Sequence, residues 1–174
     1  MSSSVRAGAA ASAPGQVRTA ELADLEALVG LWIEITRHHQ AFDPLFTLRE
    51  DAEGEIRALL SGLLGDPQAA IFVFDEGGGV VGMSCARIDR APPILREVER
   101  GEITDLGVAR ERRRRGIGRR LAEAALHWFR ARGVERVEVR VAARNPEGQA
   151  FWRELGFSDH MSVLTRRDPG GGLG

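Results

Sequence analysis

The chain has 174 residues, 43% of them hydrophobic, and a formal charge of −1 at neutral pH. That length and apolar content suit one domain with a single continuous core, and the near-zero balance excludes a global field that would draw the chain to nucleic acid or to a membrane surface. All 24 basic residues are arginine, so positive charge acts locally where arginines cluster.

Residues 1–15 are mostly Ser, Ala, Gly and Pro and are expected to be a disordered tail, as are 168–174, leaving 16–167 as the domain. Val17 and Arg18 predict a short first strand. Thr19 then reads as the cap of a first helix, with Glu21 in its first turn and Leu22, Leu25, Val29 and Trp32 on one face, ending near His38. Thr47-Leu48-Arg49-Glu50 matches a capping box opening a second helix to about Leu64, where Gly65-Asp66-Pro67 stops it. Two strands, 70–74 and 80–88, flank the hairpin signal 75–79. The lone Cys85 lies in the second of them; it excludes an internal disulfide, suits a reducing cytoplasm and reads as a buried inert thiol.

A loop is expected at 89–100, a fourth strand at 103–108, a third helix at 116–132 closed by Gly133, and a fifth strand at 135–141. Asn145 reads as the cap of a fourth helix, with Pro146 first and Gly156 beyond its end. Residues 157–166 predict an antiparallel hairpin closing the sheet. Together these give an α/β domain with a mixed central sheet of about six to seven strands flanked by about four helices.

The chemistry concentrates between Gly101 and Asn145. An apolar strand runs into Arg113-Arg114-Arg115-Gly116-Ile117-Gly118-Arg119-Arg120, and a helix follows, with Ile117, Leu121, Ala125 and Trp128 recurring at helical spacing. A helix start leaves its first N–H groups unpaired and carries partial positive charge, so a loop ending there suits an anion. Gly116 and Gly118 remove the Cβ atoms that would hold a ligand away, and the arginines add charge that does not titrate near neutrality. The expected ligand is a phosphate or pyrophosphate. A strand, helix, strand order implies a right-handed crossover, with this loop at the carboxyl edge of the sheet, where ligands of open α/β sheets bind.

Arg113-x-x-Gly116-x-Gly118 resembles the signature of the GNAT superfamily of N-acetyltransferases, whose loop cradles the pyrophosphate of acetyl-coenzyme A. Asn145-Pro146-x-x-x-Ala150-Phe151-x-x-x-Leu155-Gly156-Phe157 resembles that family's later coenzyme segment, and Glu102-Ile103-Thr104-Asp105-Leu106-Gly107-Val108 its fourth strand. The resemblance implies a cytoplasmic enzyme that moves an acetyl group from acetyl-CoA to a primary amine by direct attack in a ternary complex, without metal, as a monomer or a homodimer, with no nucleic-acid or membrane partner. By the same resemblance the coenzyme meets Leu106, Gly107 and Val108, the loop residues Arg113, Arg114, Arg115, Gly116, Ile117, Gly118 and Arg119, and then Asn145 and Phe151. The backbone N–H groups at Leu106 and Val108 would polarise the acetyl carbonyl and pair with the pantetheine arm.

Glu102 stands where part of the family carries a general base, and strict strand alternation puts Glu102, Thr104 and Leu106 on one face with Asp105 on the other. Glu102 reads equally as an exposed strand-end carboxylate, and His38 and His39 also stand near the expected acceptor pocket. Where many members carry a tyrosine that protonates the departing thiolate, this chain has Trp152, and it has no tyrosine at all. A thiol of pKa about 8.5 leaves tolerably without that help, but the departure keeps open a coenzyme-binding protein with little catalysis. An arginine-cluster nucleic-acid binder is a further rival. A dinucleotide site built on Gly116-Ile117-Gly118 and Glu138 fails because Leu121 stands where its third glycine belongs.

Overall fold

A computed structural model describes residues 15–166 apart from Leu95 and Glu97; both expected tails, except for Gly15, lie outside the described residues. Strands β1 (Gln16–Thr19), β2 (Ala69–Asp75), β3 (Val80–Arg90), β4 (Glu99–Val108) and β5 (Val137–Val139) form one sheet in that order. The first four pair antiparallel and β5 joins β4 in parallel. The helices are α1 (Leu25–Gln40), α2 (Ala52–Gly65), α3 (Ile117–Ala131) and α4 (Pro146–Glu154).

Strand alternation gives the sheet two apolar faces, and each carries its own core. On one, Ile71, Val73, Met83 and Cys85 pack with Leu28, Leu31, Ile35, Ile56 and Leu60 of α1 and α2. On the other, Phe72, Phe74, Ala86 and Ile103 pack with Ile117, Leu121, Ala125 and Phe129 of α3. Cys85 is buried as expected, and burial pushes its thiol well above the ordinary range.

Among the described residues the sheet has five strands, fewer than the six or seven expected. The expected closing hairpin is absent: 157–166 carry no strand, and Met161, Val163 and Leu164 are exposed. Apolar alternation forms a strand only where one face is buried, and no helix covers this stretch. The fifth strand is also shorter than expected, which proves central to the site.

Both amino-terminal helix starts shift. The Ala20 N–H donates to the Ile71 carbonyl at 2.7 Å, which keeps the chain extended past Thr19. A single 3-10 turn at Leu22–Asp24 then leads into α1, with the Asp24 carboxylate accepting the Glu21 N–H at 2.8 Å. Asp24 is also gripped by both terminal nitrogens of Arg18, at 2.7 and 2.8 Å, which holds its carboxyl below the ordinary range. The Thr47–Glu50 capping box does not open α2. The Thr47 hydroxyl donates to the Pro44 carbonyl at 2.7 Å, closing a 3-10 turn at Pro44–Phe46, and α2 begins at Ala52. A short-range side-chain bond has displaced the helix start.

Two glycines let helices press onto β4. A Cβ at Gly101 would lie 2.6 Å from the Phe129 ring of α3, and one at Gly107 would lie 2.2 Å from Ile35 Cγ1 of α1. Gly101→Ala is therefore expected to cost about 1–3 kcal/mol, lowering Tm by roughly 3–10 °C in a thermal melt. An unchanged melt would mean that Phe129 moves aside freely.

Candidate active site

Beside β4, β5 pairs only Gly101↔Val137, Glu102↔Glu138 and Ile103↔Val139. From Thr104 to Val108, β4 keeps β3 on one side and loses its neighbour on the other. Polar backbone groups on that edge are left for a ligand or for water. The strands fork, and a cavity of about 400 Å³ opens there, lined by β4 from Ile103 to Val108, the end of α1, the loop before α3, the residues after β5, and α4.

The loop end of this cavity is a sharp glycine turn that runs into the start of α3. Arg114 has φ 63° and Gly116 φ 76°, so the turn bends through left-handed backbone that a glycine adopts without strain. The first backbone bond of the α3 turn is Arg120 N–H to Gly116 O at 3.2 Å. The amides from Arg114 to Arg119 precede it, and among the described residues none has a backbone partner. A Cβ at Gly118 would come no nearer than 3.6 Å to Leu106 Cδ2 and 3.7 Å to Phe151. Internal packing therefore does not require the glycine.

The arginines do not all face the cavity. Arg113, Arg114 and Arg119 line it, while Arg115 stands outside the lining. The Arg113 Nε donates to the Val108 carbonyl at 3.0 Å, tying the loop to the strand end. Arg114 and Arg119 reach across to α4, where Glu147 and Glu154 accept at 2.7 and 3.2 Å. With these side chains partly neutralised, the amides are the better-placed anion donors. Asn145 caps α4 by accepting the Gly148 N–H at 2.9 Å, and it lines the cavity. Phe151 stacks edge-on against Trp152, centroids 5.0 Å apart. Leu106, Gly107, Val108, Gly116, Ile117 and Gly118 also line the cavity.

The fourth strand departs from strict alternation. Cys85 pairs with Asp105 and Ala86 with Ile103, so Thr104 is an extra residue, a bulge. Ile103 packs on the α3 side and Leu106 joins it there, while Glu102 and Asp105 both face the α1 side, beside Arg87 and Cys85. The expectation that Glu102 and Leu106 share a face with Asp105 opposite is thus reversed. Sequence reasoning missed Asp105 because a bulge leaves no mark in an apolar pattern.

The two carboxylates differ in kind. Glu102 is 6% exposed and lies outside the cavity lining. Its Oε2 accepts from Arg87 at 3.1 Å and its Oε1 lies 3.2 Å from Arg140 Nε. Asp105 lines the cavity, and its pKa is pushed up to about 6, chiefly by burial and further by the Glu102 charge, against a lowering hydrogen bond from Thr104. His38 and His39 line the same wall, packed edge-on against Phe42 and Phe46. Burial first, then neighbouring positive charge, depresses both imidazoles and keeps them neutral.

The sequence model of the acetyltransferase (GNAT) family matches residues 32–157. The chain belongs to the GNAT acetyltransferase family. A mycothiol acetyltransferase of Beutenbergia cavernae is 37% identical over 93 residues, 53% of this chain and 29% of that protein, so the match spans under a third of that relative's length. Among solved structures, a tetramutant of the BH1408 protein of Bacillus halodurans superposes with a TM-score of 0.77 at 21% identity, covering 87% of this chain and 99% of that one. The aminoglycoside N-acetyltransferase AAC(6')-Iy, solved with CoA, gives 0.72 at 18% identity, covering 89% and 95%. At such identities the structural likeness establishes the GNAT fold alone. No helix among the described residues is long and apolar enough to cross a membrane.

Proposed function

We propose that this GNAT chain transfers an acetyl group from acetyl-CoA to a primary amine, by direct attack within one ternary complex. The observation that carries the reading is the fork between β4 and β5, with unpaired loop amides at one end and, on the α1 face, the carboxyl of Asp105, whose pKa burial raises to about 6. Bound acetyl-CoA would supply the activated thioester. The amides from Arg114 to Arg119 hold its pyrophosphate, with Arg113 bracing the loop. The unladdered edge of β4 offers the N–H groups of Leu106 and Val108 to the acetyl carbonyl and the pantetheine arm, fixed before reaction and needing no reorganisation. Asn145 meets the arm through its amide nitrogen, and Phe151 walls it.

As the amine nitrogen bonds to the carbonyl carbon, Asp105 takes its proton. When the carbon–sulfur bond breaks, the thiolate leaves with the electron pair and is protonated by water, because Trp152 is no acid. Trp152 also supports a second reading, a protein that holds acyl-CoA with little transfer; thiol release across an amine panel separates the two. For the coenzyme itself, a hundredfold excess over Kd should stabilise the fold by about 2.7 kcal/mol. A melt unmoved by saturating acetyl-CoA would remove both readings.

A further inference from the structure

Resting on the acetyltransferase reading above, we infer that the acceptor is a small primary amine bearing a carboxylate, which the Arg140 guanidinium binds while the amine faces Asp105. Arg140 is the first residue after the β4–β5 ladder ends, so it stands at the fork and lines the cavity. Val137 and Val139 pack into the α3-side core, so alternation turns Arg140 to the α1 side, the face that Asp105 and Glu102 share. The side chain is 76% exposed and its Nε is held 3.2 Å from the buried Glu102 carboxylate. Among the described residues nothing else pairs with it.

Glu102 is divided between two guanidinium groups, Arg87 at 3.1 Å and Arg140, and cannot neutralise both. Its own role is thereby explained. A carboxylate with both oxygens engaged and no share in the cavity wall is a positioning residue: it fixes Arg140 and leaves the terminal nitrogens for a ligand. A guanidinium so held matches the planar, bidentate geometry of a carboxylate.

The charge of the cavity points the same way. Of its acidic side chains, Glu147 and Glu154 are committed to Arg114 and Arg119 on the α4 side, which leaves Asp105 alone on the acceptor face. One carboxyl accepts one amine; a polycation would need several. On the same face Arg140 shares Glu102 with Arg87 and so is only partly neutralised, and the two depressed histidines add no charge.

The test compares small amino acids with their carboxamides as acceptors, at saturating acetyl-CoA, by free thiol release. The acid is expected to exceed its amide by tenfold or more in kcat/KM, with the difference in KM. Arg140→Leu should bring the ratio close to one by raising the acid's KM, and Arg140→Lys should restore part of it. Glu102→Gln should weaken the acid through KM more than kcat, whereas loss of a proton acceptor would fall on kcat. Equal use of acid and amide, preference for polyamines, or an acid preference that survives Arg140→Leu overturns the inference while leaving the acetyltransferase reading in place. Thiol release from no amine at all overturns both.

Discussion

Asp105→Asn is expected to lower kcat by about 10²–10⁴-fold, the range for removal of a positioned proton acceptor, with coenzyme affinity retained. It is also expected to stabilise the protein at neutral pH. Burial raises the Asp105 pKa to about 6 in the folded state, above the roughly 4 of an unfolded chain. The neutral carboxyl therefore favours the fold at low pH, and that advantage is lost as pH rises through 6. Above it, burying the charge costs about 1–3 kcal/mol, and asparagine removes that cost. The measurement pairs denaturant melts at pH 5 and pH 8 with the pH profile of kcat/KM. Wild type should lose activity as pH falls through about 6, the value burial sets for Asp105. That limb should be missing from the residual activity of Asp105→Asn. In Glu102→Gln it should persist, moved slightly lower, since the Glu102 charge contributes to the Asp105 shift. A limb that vanishes in Glu102→Gln and survives in Asp105→Asn would exchange the two roles.

Gly118→Ala is expected to separate binding from folding with effects of opposite sign. Gly118 lies in the first turn of α3, and an added Cβ meets only ordinary contacts at 3.6 and 3.7 Å. Alanine forms helix better than glycine by up to about 1 kcal/mol, so the ligand-free melt should rise or hold. On the proposed reading the same methyl would occupy the space the pyrophosphate needs beside the loop amides, and acetyl-CoA should bind about tenfold weaker, roughly 1.4 kcal/mol; Gly118→Leu should weaken it further. Thermal melts with and without acetyl-CoA measure both. A lower ligand-free melt with unchanged coenzyme affinity would mean that the glycine serves packing alone.

Much of the frame was legible in the residues. Helical spacing from Ile117 to Ala125, the hairpin glycines, Pro146 after Asn145 and the basic glycine turn are local signals, and local backbone physics honours them, although Phe129 rather than the expected Trp128 is the fully buried end of that stripe. The turn itself was legible too, because two glycines beside arginines before an apolar helical stripe mark a sharp loop running into a helix start. Thr19 and Thr47 were less reliable guides. Each is a sound cap by type, but a ladder bond from Ala20 and a hydroxyl bond to Pro44 were available and took precedence.

What the chain alone determined, then, is the order of most elements and the glycine turn before α3, which follow from neighbours close in sequence, whereas the single core expected from composition is split by the sheet into two. Tertiary pairing decided the rest. A bulge at Thr104 exists only because Cys85 and Ala86 fix the register across β3, and that one extra residue turned Asp105 rather than Leu106 to the face of Glu102. The pairing of β5 with β4 ends at Val139, which opens the fork and puts Arg140 at its edge. Side-chain period in a strand is two, so a single inserted residue reverses every later side chain, and only the partner strand records where the insertion falls.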